Sequence, residues 1–262
     1  VIIAATPGAI KYAGLKYIVA MVKAVAEEVK VPLALHLDHG MDIETVKKCI
    51  EAGFTSVMID GSRLSFEDNI ALTKQVTDLA HPQGISVEGE LGKLTGIEEA
   101  GVEGKEAIFT DPDAAREFVE RTGVDALAVA IGTSHGAYKF KGEPKLDFDR
   151  LREIRKKVDI PLVLHGASGV PTEILEKARK FGAELSGAKG VPDEDIKQAI
   201  SLGISKVNID TDLRLALMAA VREVLATKPQ EFDPRKILGP ARELMKEVAR
   251  KKMRLFGSSG KA

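Results

Sequence analysis

Pro32-Leu33-Ala34-Leu35-His36-Leu37-Asp38-His39-Gly40 is an apolar run of strand length that ends in a carboxylate, an imidazole and a glycine. Two further stretches close the same way. Ser134-His135-Gly136 follows the run Ala126–Ile131, and Leu164-His165-Gly166 follows Ile160–Val163. One histidine at a strand end is ordinarily a capped or solvated residue. Three with the same ending, in a chain that holds only five, ask for a common explanation. Side chains at the ends of neighbouring parallel strands converge, and three neutral imidazoles around an open position are the ligand set of a catalytic zinc. The glycine after each lets backbone approach the metal or its ligand closely.

Outward from these endings, short apolar runs alternate with amphipathic stretches of about 10–15 residues, the rhythm of parallel βα units. Strands are predicted at Val1–Ala5, Leu33–Asp38, Ser56–Gly61, Ser86–Gly92, Ala126–Gly132, Leu162–Ser168 and Lys206–Asp212. Helices are predicted near Leu15–Val29, Glu44–Ala52, Phe66–Ala80, Asp113–Thr122, Asp147–Val158, Thr172–Phe181 and Asp193–Leu202. Several strands are apolar throughout, as strands covered on both faces are. Pro112 and Pro171 mark helix starts, while Gly53, Gly123 and Gly182 stand where a left-handed residue ends a helix.

These runs make seven strands, whereas a closed (β/α)8 TIM barrel has eight. The expectation is an α/β barrel whose first βα unit, roughly 40 residues, is absent from the N-terminus of this sequence. A seven-stranded open barrel is the alternative. Residues 1–225 are expected to form the catalytic barrel domain, and residues 226–262 a C-terminal helical extension of it. There Pro234 is expected to break the chain and Pro240 to open a helix. The apolar stripe Leu244, Met245, Val248, Met253, Leu255 and Phe256 is expected to assist a homo-oligomer contact.

A chain of 262 residues accommodates one large α/β domain. Its 38 basic and 39 acidic residues leave a net charge of −1, which argues against nucleic acid or a membrane surface held by bulk charge. No apolar run reaches the roughly 18 residues of a membrane span. The single Cys49 permits no disulfide framework and reads as a buried small apolar residue. With no signal-peptide pattern at Val1, a cytoplasmic location is expected.

In such barrels the reactive groups stand at the C-terminal ends of the strands. That rule makes His39, His135 and His165 the metal candidates. On a regular strand Asp38 would face away from His39, unless the chain has already begun its turn. Placed by such a turn, it could exchange a proton with a hydroxyl of a metal-bound substrate; alone, it would read as structural. His165-Gly166-Ala167-Ser168-Gly169-Val170-Pro171 leads into a helix start, where backbone N–H groups suit a phosphate. Asn208-Ile209-Asp210-Thr211-Asp212 offers further donors at the neighbouring strand end. A metal, a phosphate and a carboxylate together point to a phosphorylated keto-sugar. His36 reads as a hydrogen-bonded barrel residue and His81 as a solvated loop residue.

The runs Leu35–Gly40, Val57–Ser62, Val87–Gly92, Ala130–Gly136, Leu164–Ser168 and Val207–Asp212 resemble the class II, metal-dependent fructose-1,6-bisphosphate aldolases and their tagatose-bisphosphate relatives. The likeness extends over essentially the whole chain, through Glu231–Lys236 and Phe256–Ser258. The family's first barrel strand has no counterpart here. The resemblance implies reversible aldol cleavage of D-fructose 1,6-bisphosphate to dihydroxyacetone phosphate and D-glyceraldehyde 3-phosphate, in glycolysis and gluconeogenesis. It implies a catalytic Zn2+ on His39, His135 and His165, with Asp38 as acid/base for the C4 hydroxyl. Asp60 and Glu90 match a second divalent metal position. Glu98 matches the residue that takes the C1 proton of dihydroxyacetone phosphate. The phosphate would lie against Gly136, Gly166, Ala167, Ser168, Asn208, Ile209, Asp210 and Thr211, with a monovalent cation nearby. A basic residue of a partner subunit, among Arg250, Lys251 and Lys252, would grip the second phosphate of the sugar bisphosphate, so a homodimer or homotetramer is implied. Asp210–Arg214 resembles the fructose-type branch. A tagatose-1,6-bisphosphate aldolase and a catalytically impaired sugar-phosphate binder are the other readings. A metal-dependent amidohydrolase is disfavoured, because those barrels open on His-x-His whereas His36 and His39 are spaced differently.

Overall fold

The apolar runs form strands because β-branched and leucine side chains can be buried on both sides of the backbone they share. A computed structural model describes residues 1–93, 95–97, 103–104, 108–135, 145–185 and 187–261, with backbone alone at 95–97, 103–104 and 135. In chain order its strands are β1 (Ile2–Ala5), β2 (Ala34–Gly40), β3 (Ser56–Ile59), β4 (Ser86–Leu91), β5 (Thr95–Ile97), β6 (Glu103–Gly104), β7 (Ala126–Val129), β8 (Ser134–His135), β9 (Leu162–Leu164) and β10 (Ile204–Val207). Seven of them make one sheet in the order β1-β2-β3-β4-β7-β9-β10, every neighbouring pair parallel. β5 joins β6 and β8 in a small separate sheet.

The helices are α1 (Pro7–Ala13), α2 (Leu15–Glu28), α3 (Ile43–Ala52), α4 (Phe66–Ala80), α5 (Pro112–Thr122), α6 (Phe148–Lys157), α7 (Thr172–Lys180), α8 (Asp193–Ser201), α9 (Thr211–Thr227) and α10 (Pro234–Leu255). Strand order follows chain order, as successive crossovers of one hand require. The result is the parallel α/β architecture of a (β/α) barrel, with β1 and β10 at the two ends of the strand order. Among the described residues no helix is long and apolar enough to cross a membrane.

The period-two alternation of strands decides what faces where. Leu35 and Leu37 of β2 and Val87 of β4 join the buried cluster that also holds Val46, Ile70, Phe118, Leu151 and Ile196 from the helices. The intervening residues, His36 and Asp38 on β2 and Glu88 and Glu90 on β4, therefore share the opposite face. All four are buried.

Several expectations change. Lys206–Asp212 is not one strand: β10 ends at Val207, and Thr211 opens a further helix, α9. Pro7 likewise opens a short helix after the capping residue Thr6. Pro234 does not break the chain; it stands in the first turn of α10 behind the Asp233 cap, and Pro240 lies inside the same helix. Proline costs nothing in a first turn, because its missing N–H has no helical partner there. The apolar stripe of α10 is used largely within the chain. Val248, Leu244 and Met245 pack on a second cluster with Val170, Ile174, Leu175 and Leu215, and Phe256 packs on the first.

Candidate active site

β2 stays regular to Leu37, then its register against β3 shifts before Gly40. His39 sits at φ 50°, a left-handed backbone uncommon for a residue with a Cβ. This local twist supplies the turn that Asp38 needs. Ligand atoms of Asp38, His39 and His165 all lie within 4.8 Å of one another, although Asp38 and His39 are adjacent in sequence. A second group, His39, Asp60 and Glu90, meets the same distance. His39 Nδ1 is 3.0 Å from Asp60 Oδ2 and 3.9 Å from Glu90 Oε2, and His165 Nδ1 is 3.2 Å from Glu90 Oε2. The two imidazole rings meet edge to face with centroids 4.7 Å apart.

Glu90 Oε2 is buried and makes no well-aligned hydrogen bond among the described residues, its near neighbour being His165 Nδ1. A carboxylate oxygen in that position, facing two imidazoles, fits a divalent cation: buried polar atoms are rarely left without a partner, and mixed imidazole–carboxylate sets are metal ligands. Of the proposed three-histidine set, His39 and His165 are together. The backbone of His135 lies in β8, but its side chain, together with Glu98 and Gly136, is outside the described residues.

Glu88 was not among the residues assigned a role from sequence, yet it organises the cluster. Its Oε1 lies 2.8 Å from His165 Nε2 and its Oε2 accepts from Lys206 Nζ at 2.8 Å. A carboxylate behind a ligating imidazole fixes ring orientation, here with Nδ1 toward Glu90. The alternation along β4 placed Glu88 on the face of Glu90, but nothing local announced His165 or Lys206. Lys206 is thus tied to Glu88.

Charge balance follows from this packing. Burial opposes ionisation of Glu88, but Lys206 and His165 hold its carboxyl well below the usual range. Burial likewise opposes the His165 cation, yet Glu88 and Glu90 push its pKa up to about 10. His39 is raised by its hydrogen bond to Asp60 against the same desolvation. Asp60 is held low against burial by His39 and Ser62, whereas Glu90 is raised by burial and by the Asp60 charge. His36, hydrogen-bonded to Ser56, is lowered by burial to about 4. The neighbouring carboxylates thus favour the protonated forms of the two site imidazoles. A divalent cation among the same groups would take the place of those protons.

Asp38 is buried, and the imidazoles of His39 and His165 outweigh desolvation to keep its pKa low. Its Oδ1 accepts a 2.9 Å hydrogen bond from Asn208 Nδ2, and Asn208 is held in turn by its own N–H on Leu164 O. The segment 166–168 leaves β9 beside this group. Gly166 has φ 62°, and a Cβ there would lie 2.6 Å from Ser134 O, so only glycine fits. Asp210 N–H reaches Ser168 Oγ at 3.4 Å, which brings 166–168 against 208–211. Thr211 opens α9 there with no side-chain cap, and a helix N-terminus carries partial positive charge.

The basic candidates for a second phosphate separate. Arg250 pairs with Glu247 and Lys251 with Glu173, both exposed. Lys252 is 7% exposed and lies between Asp193 and Asp212, so its ammonium is engaged within its own chain. Cys49 is buried, its thiol pushed up to about 11 by desolvation, which fits a core residue.

The sequence matches the family described as fructose-bisphosphate aldolase class-II over residues 1–184 and 185–261. The fructose-bisphosphate aldolase of Thermus caldophilus is 57% identical over 263 residues, which cover 100% of this chain and 86% of that protein. The fructose-bisphosphate aldolase of Helicobacter pylori strain J99 is 50% identical over 261 residues, 99% of this chain and 85% of that one. The crystal structure of the YdjI aldolase from Escherichia coli K12 superposes with a TM-score of 0.78 at 37% identity, covering 100% of this chain and 83% of its own. The chain belongs to the class-II fructose-bisphosphate aldolase family.

Proposed function

We propose that the chain cleaves D-fructose 1,6-bisphosphate reversibly to dihydroxyacetone phosphate and D-glyceraldehyde 3-phosphate. The observation that carries this reading is the convergence of Asp38, His39 and His165 beside the segments 166–168 and 208–211. Fructose is favoured over tagatose because relatives at 57% and 50% identity are named fructose-bisphosphate aldolases. This is the carbon–carbon step of glycolysis and gluconeogenesis.

His39, His165 and His135 would hold a zinc ion, with Asp60 and Glu90 available for a second divalent position. When bound, the ion supplies Lewis-acid polarisation of the substrate ketone. Asp38, ionised and aimed by Asn208, takes the C4 hydroxyl proton as the C3–C4 bond breaks. In condensation it returns that proton to the aldehyde oxygen. Glu98 exchanges the C1 proton of the three-carbon ketone. Gly166, Ala167, Ser168, Asn208, Ile209, Asp210 and Thr211 bind its phosphate, with a monovalent cation alongside. The chain works as a homodimer or homotetramer in the cytoplasm.

The test is side-by-side cleavage of fructose and tagatose 1,6-bisphosphates by purified protein, with metal analysis. Expected is preferential cleavage of the fructose sugar, abolished by a chelator and restored by zinc. A preference for tagatose, or turnover indifferent to chelation, overturns the reading.

A further inference from the structure

Between β9 and α7 the chain makes a turn that local sequence does not favour. Val170 has φ 50°, a conformation costly for a β-branched residue, and it is buried. Something must hold it there. Asp212, fully buried in the first turn of α9, accepts from Val170 N at 2.7 Å and from Gly169 N at 3.1 Å. That carboxylate is in turn met by Lys252 Nζ of α10 at 3.2 Å, and the same ammonium reaches Asp193 of α8 at 3.0 Å. The fit is close. A Cβ on Gly169 would lie 2.9 Å from Lys252 Nζ, and one on Gly190 would lie 2.2 Å from the Gly169 carbonyl carbon.

We infer that Lys252 is a positioning residue for phosphate: through Asp212 it sets the strained turn at Gly169 and Val170, and so the adjoining segment 166–168. The inference rests on the reading of 166–168 and 208–211 as the phosphate site. The physical reason is that removing one partner of a buried charge pair is costly, so the bridge from Asp212 to the two amides depends on the ammonium packed behind it. Both sides of the proposed site hang from that carboxylate. Asp212 follows Thr211 directly, and the amides it holds follow Ser168 directly. Lys252 touches no substrate in this arrangement. It acts through the geometry of the turn.

The experiment compares Lys252→Met and Lys252→Arg with the unaltered chain. It uses calorimetric titration of inorganic phosphate, amide hydrogen exchange at Gly169 and Val170, and steady-state kinetics on fructose 1,6-bisphosphate. Lys252→Met is expected to weaken phosphate binding about tenfold and raise KM alike, speed exchange at both amides, and leave kcat within about twofold. Lys252→Arg, which keeps the charge, is expected to restore most of the affinity and protection. Should Lys252→Met fail to fold, Lys252→Gln, which keeps a donor without the charge, is read the same way. Unchanged phosphate affinity in a folded variant overturns the inference, as does unchanged exchange. So does an Arg variant as impaired as the Met variant. An unaltered chain that binds phosphate but cleaves no sugar overturns the proposed activity alone, and the clamp is then judged by affinity and exchange. A chain that binds no phosphate overturns the site reading and this inference with it.

Discussion

Asp38 and His39 are neighbours in sequence that a regular strand would turn to opposite faces, and the left-handed backbone at His39 is what lets both reach one point. The chemistry of each can therefore be separated by substitution. Asp38→Ala is expected to keep its metal content while turnover falls by ~10²-fold or more, the usual scale for a general acid/base; near-normal turnover would remove Asp38 from the mechanism. Glu88→Gln should leave the fold intact but weaken metal affinity by about 10–100-fold, the range seen when the support of a ligating imidazole is lost. Competition with a chelator measures it. Cys49 is expected to resist thiol reagents until the protein is denatured, since burial raises its pKa to about 11. Rapid labelling of native protein would contradict the packing. At this scale the sequence was legible where a motif is contiguous. The three His-Gly endings stand out because each lies within a few residues. The Glu88 hub was hidden because its partners His165 and Lys206 are 77 and 118 residues away.

Elements were legible where periodicity and caps agree. α4 runs from Phe66 to Ala80 as its Ser65 cap and apolar spacing indicate. Strand ends were less so, because the apolar run continues into buried loop. Ala130 and Ile131 are as buried as β7 itself though they lie beyond it. α9 was concealed by the polar run Asn208–Asp212, which reads as the end of a strand when it is also the start of a helix. The caps make a stability test. Asp42 accepts from Thr45 N at 2.7 Å, and that hydrogen bond first of all lowers its pKa against a small burial penalty. Asp42→Ala is expected to cost about 1 kcal/mol at neutral pH, by chemical denaturation. A depressed carboxylate contributes fully above its unfolded pKa and loses that contribution as pH falls through its folded value. The difference between the two proteins should therefore shrink in acid; a gap that widens there would reject the cap.

For the whole molecule, seven parallel strands in chain order and a site at their C-terminal ends follow from the βα rhythm alone. The packing of α10 does not follow, because an apolar stripe looks the same whether it meets its own chain or another. Here it meets α7 and α9 through a second apolar cluster, distinct from the one beneath the sheet. Chain segments that pack as separate blocks can melt at different temperatures. On slow heating, the tail should loosen ahead of the strands, so grip on anions would fade while far-ultraviolet dichroism and the imidazole cage persist. Such a protein would first fail at moderate heat through loss of substrate affinity, not through collapse.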